Sequence, residues 1–586
     1  MNQIREMIDK AVADLNLPSV DFSVEHPRDE SHGDYSTNVA MVVWKQIINP
    51  KFSNSQIKSP RELAEKIVSQ WSMVNGQWLK IIDKIEVAGA GFINFYLKNE
   101  FFLEETQKAM EPGYGKSETL KGKKVMVEYT DPNPFKEMHI GHLMSNTIGE
   151  SLARLQEACG AEVKRVCYQG DVGLHVVKSI WGMQALKMKL DDLQGDSLKV
   201  RQKQLGQAYA RGATEYENNE VAKAEMNVMN KQIYDGLENG TDPARRLFAG
   251  VMEMYREGRA WSLEYFETIY QRLGTKFDEY FFESEAGPVG LEVVIEGLDK
   301  GVLEIGEEGA VVYRGEKDGL HTRVFRNKLG LPTYEAKDLG LAKTKWGRYK
   351  YDLSYIVTAN EITEYFKVVL KVMEQLYPEL RAKTTHIPHG MMKLTTGKMS
   401  SRTGKVVTGE SLLNELKETV LAKMGNRNIK DREKVADQVA VAALKYTVLK
   451  QAVGGDIVYE PEKMTNLEGD TGPYLQYTYV RAMSVLKKTN TLRVDLSHAQ
   501  GINPSAQELA ILRWIYRYPE EVAEAGEKMA PHLVASYLYE LASRFNSFYN
   551  AQKIGDDQAR LALTCATAKI LESGLGLLGI QAPEEM

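Results

Sequence analysis

The stretch from Lys123 to Tyr168 limits what this chain can fold into more than any other. Lys123–Tyr129 is a short β-rich run, and the turn Asp131-Pro132-Asn133-Pro134 breaks it. From about Gly141 to Cys159, Leu143, Ile148, Leu152 and Leu155 fall on one helical face, and Gly160 marks the stop. Glu162–Tyr168 is a second strand-like run. Strand, helix and strand in so short a span form a βαβ unit, which implies a parallel sheet. Ligands of such sheets bind beyond the carboxyl ends of the strands.

The flanking regions have a different character. Residues 1–112 read as an α+β unit, with helices near 1–16 and 59–72. Ile81–Leu97 reads as strands broken at Gly89 and Gly91, and Gly113 and Gly115 mark a linker. Residues 113–454 hold the parallel sheet. A mainly helical insertion covers about 175–275, and strand-like runs return at Asp278–Phe282, Ala310–Tyr313 and Asp352–Thr358. Residues 455–586 read as all-helical, with apolar periodicity over Ala506–Tyr518, Leu533–Tyr549 and Asp557–Leu578.

Composition excludes some classes. Of 586 residues, 43% are hydrophobic and 26% charged, as in an ordinary soluble protein. No apolar run approaches the roughly 20 residues of a membrane span, and the amphipathic start has no secretory h-region. The three cysteines Cys159, Cys167 and Cys565 include no CxxC pair. A reducing cytoplasmic setting without a Cys-based zinc site is expected. The net charge of −6 does not advertise a nucleic-acid binder. A large enzyme can still gather Lys and Arg on one face, so the sum leaves RNA open.

Two motifs carry chemistry. His139-Ile140-Gly141-His142 lies between strand and helix start, where free N–H groups and the helix dipole favour phosphate. Gly141 lets a base or ribose approach the backbone, and His139 and His142 can donate to charge that grows in a transition state. Surface histidines or half of a metal site are the alternatives, although no HExxH and no nearby Cys supports a metal. Downstream, Thr396–Lys405 places Lys398, Met399, Ser400, Ser401, Arg402 and Lys405 between glycines. Such a loop can close over a pyrophosphate. A solvated basic loop is the alternative.

Together the tetrad and this loop resemble the HIGH and KMSKS signatures of class I aminoacyl-tRNA synthetases. Ser401 and Arg402 stand where Lys and Ser are usual. Val127-Glu128-Tyr129-Thr130-Asp131-Pro132-Asn133 with Lys136-Glu137-Met138 resembles the arginyl-tRNA synthetases. So do His32–Asn38, Ala88–Phe95, Pro332-Thr333-Tyr334, Asp338-Leu339-Gly340, Asp470–Tyr477 and the ending Leu577–Ile580 with Pro583 and Met586. Gly170-Asp171-Val172-Gly173 resembles a GDWG turn with Val172 in place of Trp. Met144 and His175 replace a common Arg and Gln.

The resemblance implies a Rossmann-type catalytic domain between an N-terminal tRNA-contacting domain and a helical-bundle anticodon-binding domain. It implies L-arginine, ATP with Mg²⁺, and tRNA(Arg) as partners of a monomeric cytoplasmic enzyme, with no DNA, membrane or zinc. His139 and His142 would act on the α-phosphate. Lys398, Lys136 and Lys405 would hold the β- and γ-phosphates, and Ile140, Gly141, Met399, Ser400 and Ser401 would line the ATP site. Asp338 and Glu128 would take the guanidinium, Tyr334 would pack on the side chain, and Asn133 would hold the α-amino or carboxylate group. Glu361 is a further arginine candidate. Asn38, Tyr474 and Gln476 are tRNA candidates. Without the resemblance, Asp338 reads as a cap and Tyr334 as core. His386 and His389 are expected in core or surface roles. Rival readings are a class I synthetase for another amino acid, a non-catalytic tRNA-binding paralogue and a small-molecule nucleotidyltransferase.

Overall fold

The computed structural model describes residues 2–47, 57–73, 81–238, 249–394, 408–490, 494 and 504–586. Five parallel strands form its central sheet: β1 (Lys124–Glu128), β2 (Glu162–Gln169), β3 (Glu279–Phe282), β4 (Leu353–Ala359) and β5 (Thr384–His389). Their order is β5-β4-β1-β2-β3. The chain runs outward from β1 to β3 on one side, then restarts at β4 on the other. The switch point therefore lies between β1 and β4, where an open α/β sheet forms its ligand crevice. Val125, Met126 and Val127 are all fully buried, as a central strand covered on both faces requires.

Helix α1 (Ile140–Ala158) carries the chain from β1 to β2. A Cβ on Gly149 would sit 2.2 Å from Cγ of Tyr129, so only glycine lets the helix lie this close to the end of β1. The far face of α1 is also covered. Ser151 Oγ donates to the carbonyl of Leu577, and Arg154 donates to that of Gly576. Glu150 accepts from Tyr129 and pairs with Arg154. Beside them Lys445 donates to the carbonyls of Leu273 and Gly579, and burial lowers its pKa to about 7.

The helical insertion is present as Leu174–Ala185, Leu198–Asn218, Glu220–Glu238 and Ala249–Leu273, around a core that includes Val177, Ile180, Leu205, Met226 and Trp261. One expectation needs correction. Residues from 455 onward are not all helical: β7 (Ile457–Tyr459) pairs in parallel with β6 (Met392–Leu394). This β-branched run finds its partner far back in the chain, which no local periodicity reveals.

The chain packs as two units: residues 1–115, 481–520 and 540–571, and residues 116–480, 521–539 and 572–586. The helices expected near the C-terminus are present as Ala506–Glu527, Pro531–Ala551 and Gln558–Leu577, and they divide between the units. In the first unit, a four-stranded antiparallel sheet of Val24–Glu25, Tyr35–Thr37, Phe92–Leu97 and Ile82–Ala88 is joined by the helix Val39–Ile47, which local periodicity did not disclose. Asp34, buried there, accepts from the amide of Leu97 and from Arg513 Nε. This ion pair ties N-terminal and C-terminal sequence into one unit.

Replacing Gly149 with alanine forces Tyr129 off the helix. The expected outcome is a loss of about 1–3 kcal/mol in folding stability, despite alanine's better helix propensity, read as a lower melting temperature.

Candidate active site

The site begins in the turn after β1. Thr130, Asp131 and Phe135 all have positive φ (83°, 44° and 67°), a conformation costly for residues with a Cβ and rare for a β-branched one. Surrounding bonds hold it in place. The amide of Thr130 donates to Ser145 Oγ, its hydroxyl accepts from Asn146, and the amide of Phe135 donates to Ser262 Oγ. Asp131 accepts from the amide of Tyr168 at 2.7 Å.

The tetrad follows as the N-terminal cap of α1. Gly141 N–H donates to Nδ1 of His139 (3.1 Å), and His139 N–H donates to Nδ1 of His142 (3.2 Å). The two rings stack with centroids 3.6 Å apart. With Nδ1 accepting in both rings, the neutral imidazoles carry their proton on Nε2. Both are neutral well below physiological pH. Burial and then Lys136 push His139 down to about 4, although part of the residue meets solvent. Burial, then His139 and Lys136, also hold His142 well below the usual imidazole range. The crevice thus presents two fixed N–H donors beside a lysine. The Lys136 ammonium lies 4.3 Å from the ring centroid of Tyr209.

Lys398, Met399, Ser400, Ser401 and Lys405 lie outside the described residues. The segment that follows them is described. Thr408 forms a β-bridge with His139, and the amide of Gly409 donates to the carbonyl of Met138 at 2.7 Å. The chain that follows the basic motif therefore meets the tetrad at Thr408 and Gly409.

A recess lined by Glu128, Asp338, Leu341, Lys345, Ile356 and Phe366 lies against α2 (Tyr334–Arg348), on which Tyr334, Asp338, Leu341 and Lys345 share one face. Asp338, half-buried, accepts from the Tyr365 hydroxyl at 2.5 Å. Burial raises its pKa to about 8, with Glu128, Glu283 and Glu335 adding to the shift and the Tyr365 bond opposing it. Glu128 is buried and paired with the equally buried Lys345 at 2.6 Å. Its charge is thus matched from within the fold rather than left open to a ligand. Glu283 and Lys337 form a second buried pair at 2.5 Å. Asn133 reaches the same area: a Cβ on Gly170 would lie 2.1 Å from Asn133 Oδ1 and 3.2 Å from Glu283 Oε1. Tyr334 is exposed, with the Lys337 ammonium 5.2 Å from its ring centroid. Glu361 is exposed in the turn Asn360–Ile362 after β4, at the carboxyl edge of the sheet.

Sequence reasoning missed Lys345, Lys337, Glu283 and Tyr365. Lys345 had a signal, since it falls seven residues after Asp338 on the same helix face. Glu283 and Tyr365 join the site only through tertiary packing. His175 is buried with Nε2 against the carbonyl of Gly170, and burial pushes it to about 3. His386 stacks on Phe366, and His389 is buried against the carbonyl of Gly390. Among the tRNA candidates, Gln476 does not fit a contact role: it is fully buried and donates to the carbonyl of Gln581. Asn38 accepts from the amide of Ser23 at the head of Val39–Ile47, and the half-buried Tyr474 ring lies 5.9 Å from that of Tyr539. Among the described residues no group of three or more His, Cys, Asp or Glu could hold a metal, and no helix is long and apolar enough to cross a membrane.

The chain is similar to known proteins along nearly its whole length. Residues 107–460 match the family described as tRNA synthetases class I (R), catalytic domain. Residues 2–97 match the arginyl tRNA synthetase N terminal domain, and residues 475–586 match the DALR anticodon binding domain. An arginine–tRNA ligase of Fusobacterium nucleatum subsp. nucleatum is 31% identical over 573 residues, covering 95% of this chain and 94% of that one. One from Flavobacterium psychrophilum is 29% identical, covering 98% and 97%. In fold, the chain is similar to the arginyl-tRNA synthetase of Thermus thermophilus, with a TM-score of 0.79, 23% identity and 100% of both chains covered. It is also similar to that of Plasmodium falciparum, with a TM-score of 0.77, 21% identity, and 100% and 99% covered.

The Asp338 shift has a consequence for stability. Between its unfolded value of 3.8 and about 8, the unfolded carboxyl is ionised and the folded one is not. The group's contribution is therefore complete below 3.8 and lost as pH rises toward 8. Asp338→Asn keeps the neutral form at every pH. Its melting temperature relative to the wild type should rise from pH 5 to pH 8; a constant difference across that range would refute the raised pKa.

Proposed function

Because this chain belongs to the arginyl-tRNA synthetases of class I, we propose that it works as an arginine–tRNA ligase, activating L-arginine with ATP and passing it to the 3′-terminal adenosine of tRNA(Arg). The observation that carries this reading is the stacked histidine cap at the switch point, with Thr408, three residues after the basic motif, bridged to His139. In the first step the arginine carboxylate attacks the α-phosphate, and pyrophosphate leaves. His139 and His142 donate from Nε2 to the charge that develops there, without having to lose or gain a proton at neutral pH. Lys136, with Lys398 and Lys405 of the basic motif, holds the β- and γ-phosphates. Ile140 and Gly141 at the helix start, with Met399, Ser400 and Ser401, line the nucleotide. Magnesium carried on the triphosphate would be held by phosphate oxygens and water, and would supply charge neutralisation.

Asp338 takes the guanidinium, whose arrival favours the ionised carboxylate. Tyr334 packs on the aliphatic stem, and Asn133 orients the α-substituents. Glu128 contributes indirectly, as a carboxylate fixed by Lys345 that disfavours ionisation of the empty Asp338. Glu361 is a weaker candidate at its edge. In the second step the terminal ribose hydroxyl of tRNA attacks the arginyl-adenylate, while the helical and N-terminal regions hold the tRNA body, Asn38 and Tyr474 among their candidate contacts. The enzyme works as a monomer in the cytoplasm, on tRNA rather than DNA or membrane. Three buried, free cysteines suit that compartment.

ATP–pyrophosphate exchange is expected with arginine and tRNA together and not with arginine alone. Full exchange without tRNA would remove the tRNA requirement, and none under either condition would sink the assignment. His142→Ala should lower kcat roughly 10²–10³-fold and spare tRNA binding. His142→Gln, which keeps a donor near the Nε2 position, should retain more activity than His142→Asn. The reverse order would show that the ring acts as a cap and not as a donor.

A further inference from the structure

Tyr168 stands at the end of β2, next to the recess but outside every role assigned above. Its backbone is fixed, since its amide donates to Asp131. Its ring packs against the cluster of Met126, Val166, Phe281 and Leu341, and Leu341 lies one helical turn beyond Asp338. The hydroxyl oxygen is buried and has no hydrogen-bond partner among the described residues. Such a group costs roughly 1–3 kcal/mol if nothing ever satisfies it, so its presence in a native fold needs a reason.

Its surroundings supply one. The Tyr168 hydroxyl lies in the combined field of Glu283, Asp338, Glu128 and Asp171, which with burial keeps it protonated. Each carboxylate is already engaged: Glu283 by Lys337, Asp338 by Tyr365, Glu128 by Lys345, and Asp171 by Ser284 and Arg259. The phenol is thus a neutral group beside carboxyls that already have partners, with both an acceptor and a donor function to offer.

We propose that Tyr168 is a specificity-determining residue whose hydroxyl accepts an N–H of the substrate guanidinium beside Asp338. A guanidinium has five N–H donors, more than one carboxylate can accept. A phenol oxygen takes one of them without adding a further negative charge to a recess already crowded with carboxylates. The bond forms only with ligand present, so the empty site bears the cost of an unsatisfied hydroxyl.

This rests on the arginine reading, and Tyr168→Phe separates the two. In exchange assays with tRNA present, the KM for arginine should rise roughly tenfold, with kcat and the KM for ATP unchanged. Without arginine, the variant should melt at or above the wild-type temperature, because a buried unsatisfied hydroxyl has been removed. A variant that melts earlier or does not fold would assign the hydroxyl to the fold and overturn the proposal. An unchanged KM for arginine, with a responsive wild type, would overturn this inference alone. A wild type that shows no arginine-dependent exchange would overturn the parent assignment and this one with it.

Discussion

Two backbone amides donating to two imidazole nitrogens at the start of α1 organise the rest of the crevice. Each bond satisfies an N–H that a helix start leaves open, and each also decides where the imidazole proton resides. Local folding therefore prepares the donors before any ligand arrives. The arrangement is only as good as the helix that carries it. Glycine at position 149 sets α1 against the end of β1, and Arg154, Ser151 and Glu150 fasten its other face. The strained residues Thr130, Asp131 and Phe135 are the counterpart of that rigidity. A turn held by so many side chains can keep conformations that a free loop would abandon.

The recess relies on a different device. Glu128 with Lys345 and Glu283 with Lys337 are buried ion pairs, which add little to stability once desolvation is counted. Their effect is to hold charged groups in fixed places around the recess. Asp338 has a phenol for its hydrogen-bond partner among the described residues, and burial keeps it protonated up to about pH 8. Glu128 and Glu283, each matched by a lysine of α2, thus differ from Asp338 on α2 itself, whose partner is a neutral phenol.

Local pattern disclosed part of this. The βαβ unit, the tetrad's place at its junction and the helical insertion are all encoded in neighbouring residues, and so they were legible. The two faces of α2 were legible in principle, since Lys345 repeats the spacing of Asp338. The partnership of Glu128 with Lys345 was not: a carboxylate at a strand end looks the same whether it awaits a substrate or a lysine. Gln476 shows the same limit, because a motif match cannot tell an exposed amide from one enclosed against Gln581. The β6–β7 pair and the division of the C-terminal helices between two units depend on contacts across long stretches of chain, and no window of residues contains them.

The back of α1 closes on carbonyls of Gly576 and Leu577, and Lys445 beside it closes on Gly579. These acceptors belong to sequence that a ribosome reaches only after the whole parallel sheet has been made. Until then, a nascent chain has its catalytic helix but not the groups that seal its charged rear face. Translation order thus delays completion of the crevice, and a polypeptide cut short before residue 576 would keep His139 and His142 at the start of a helix whose rear face lacks these acceptors.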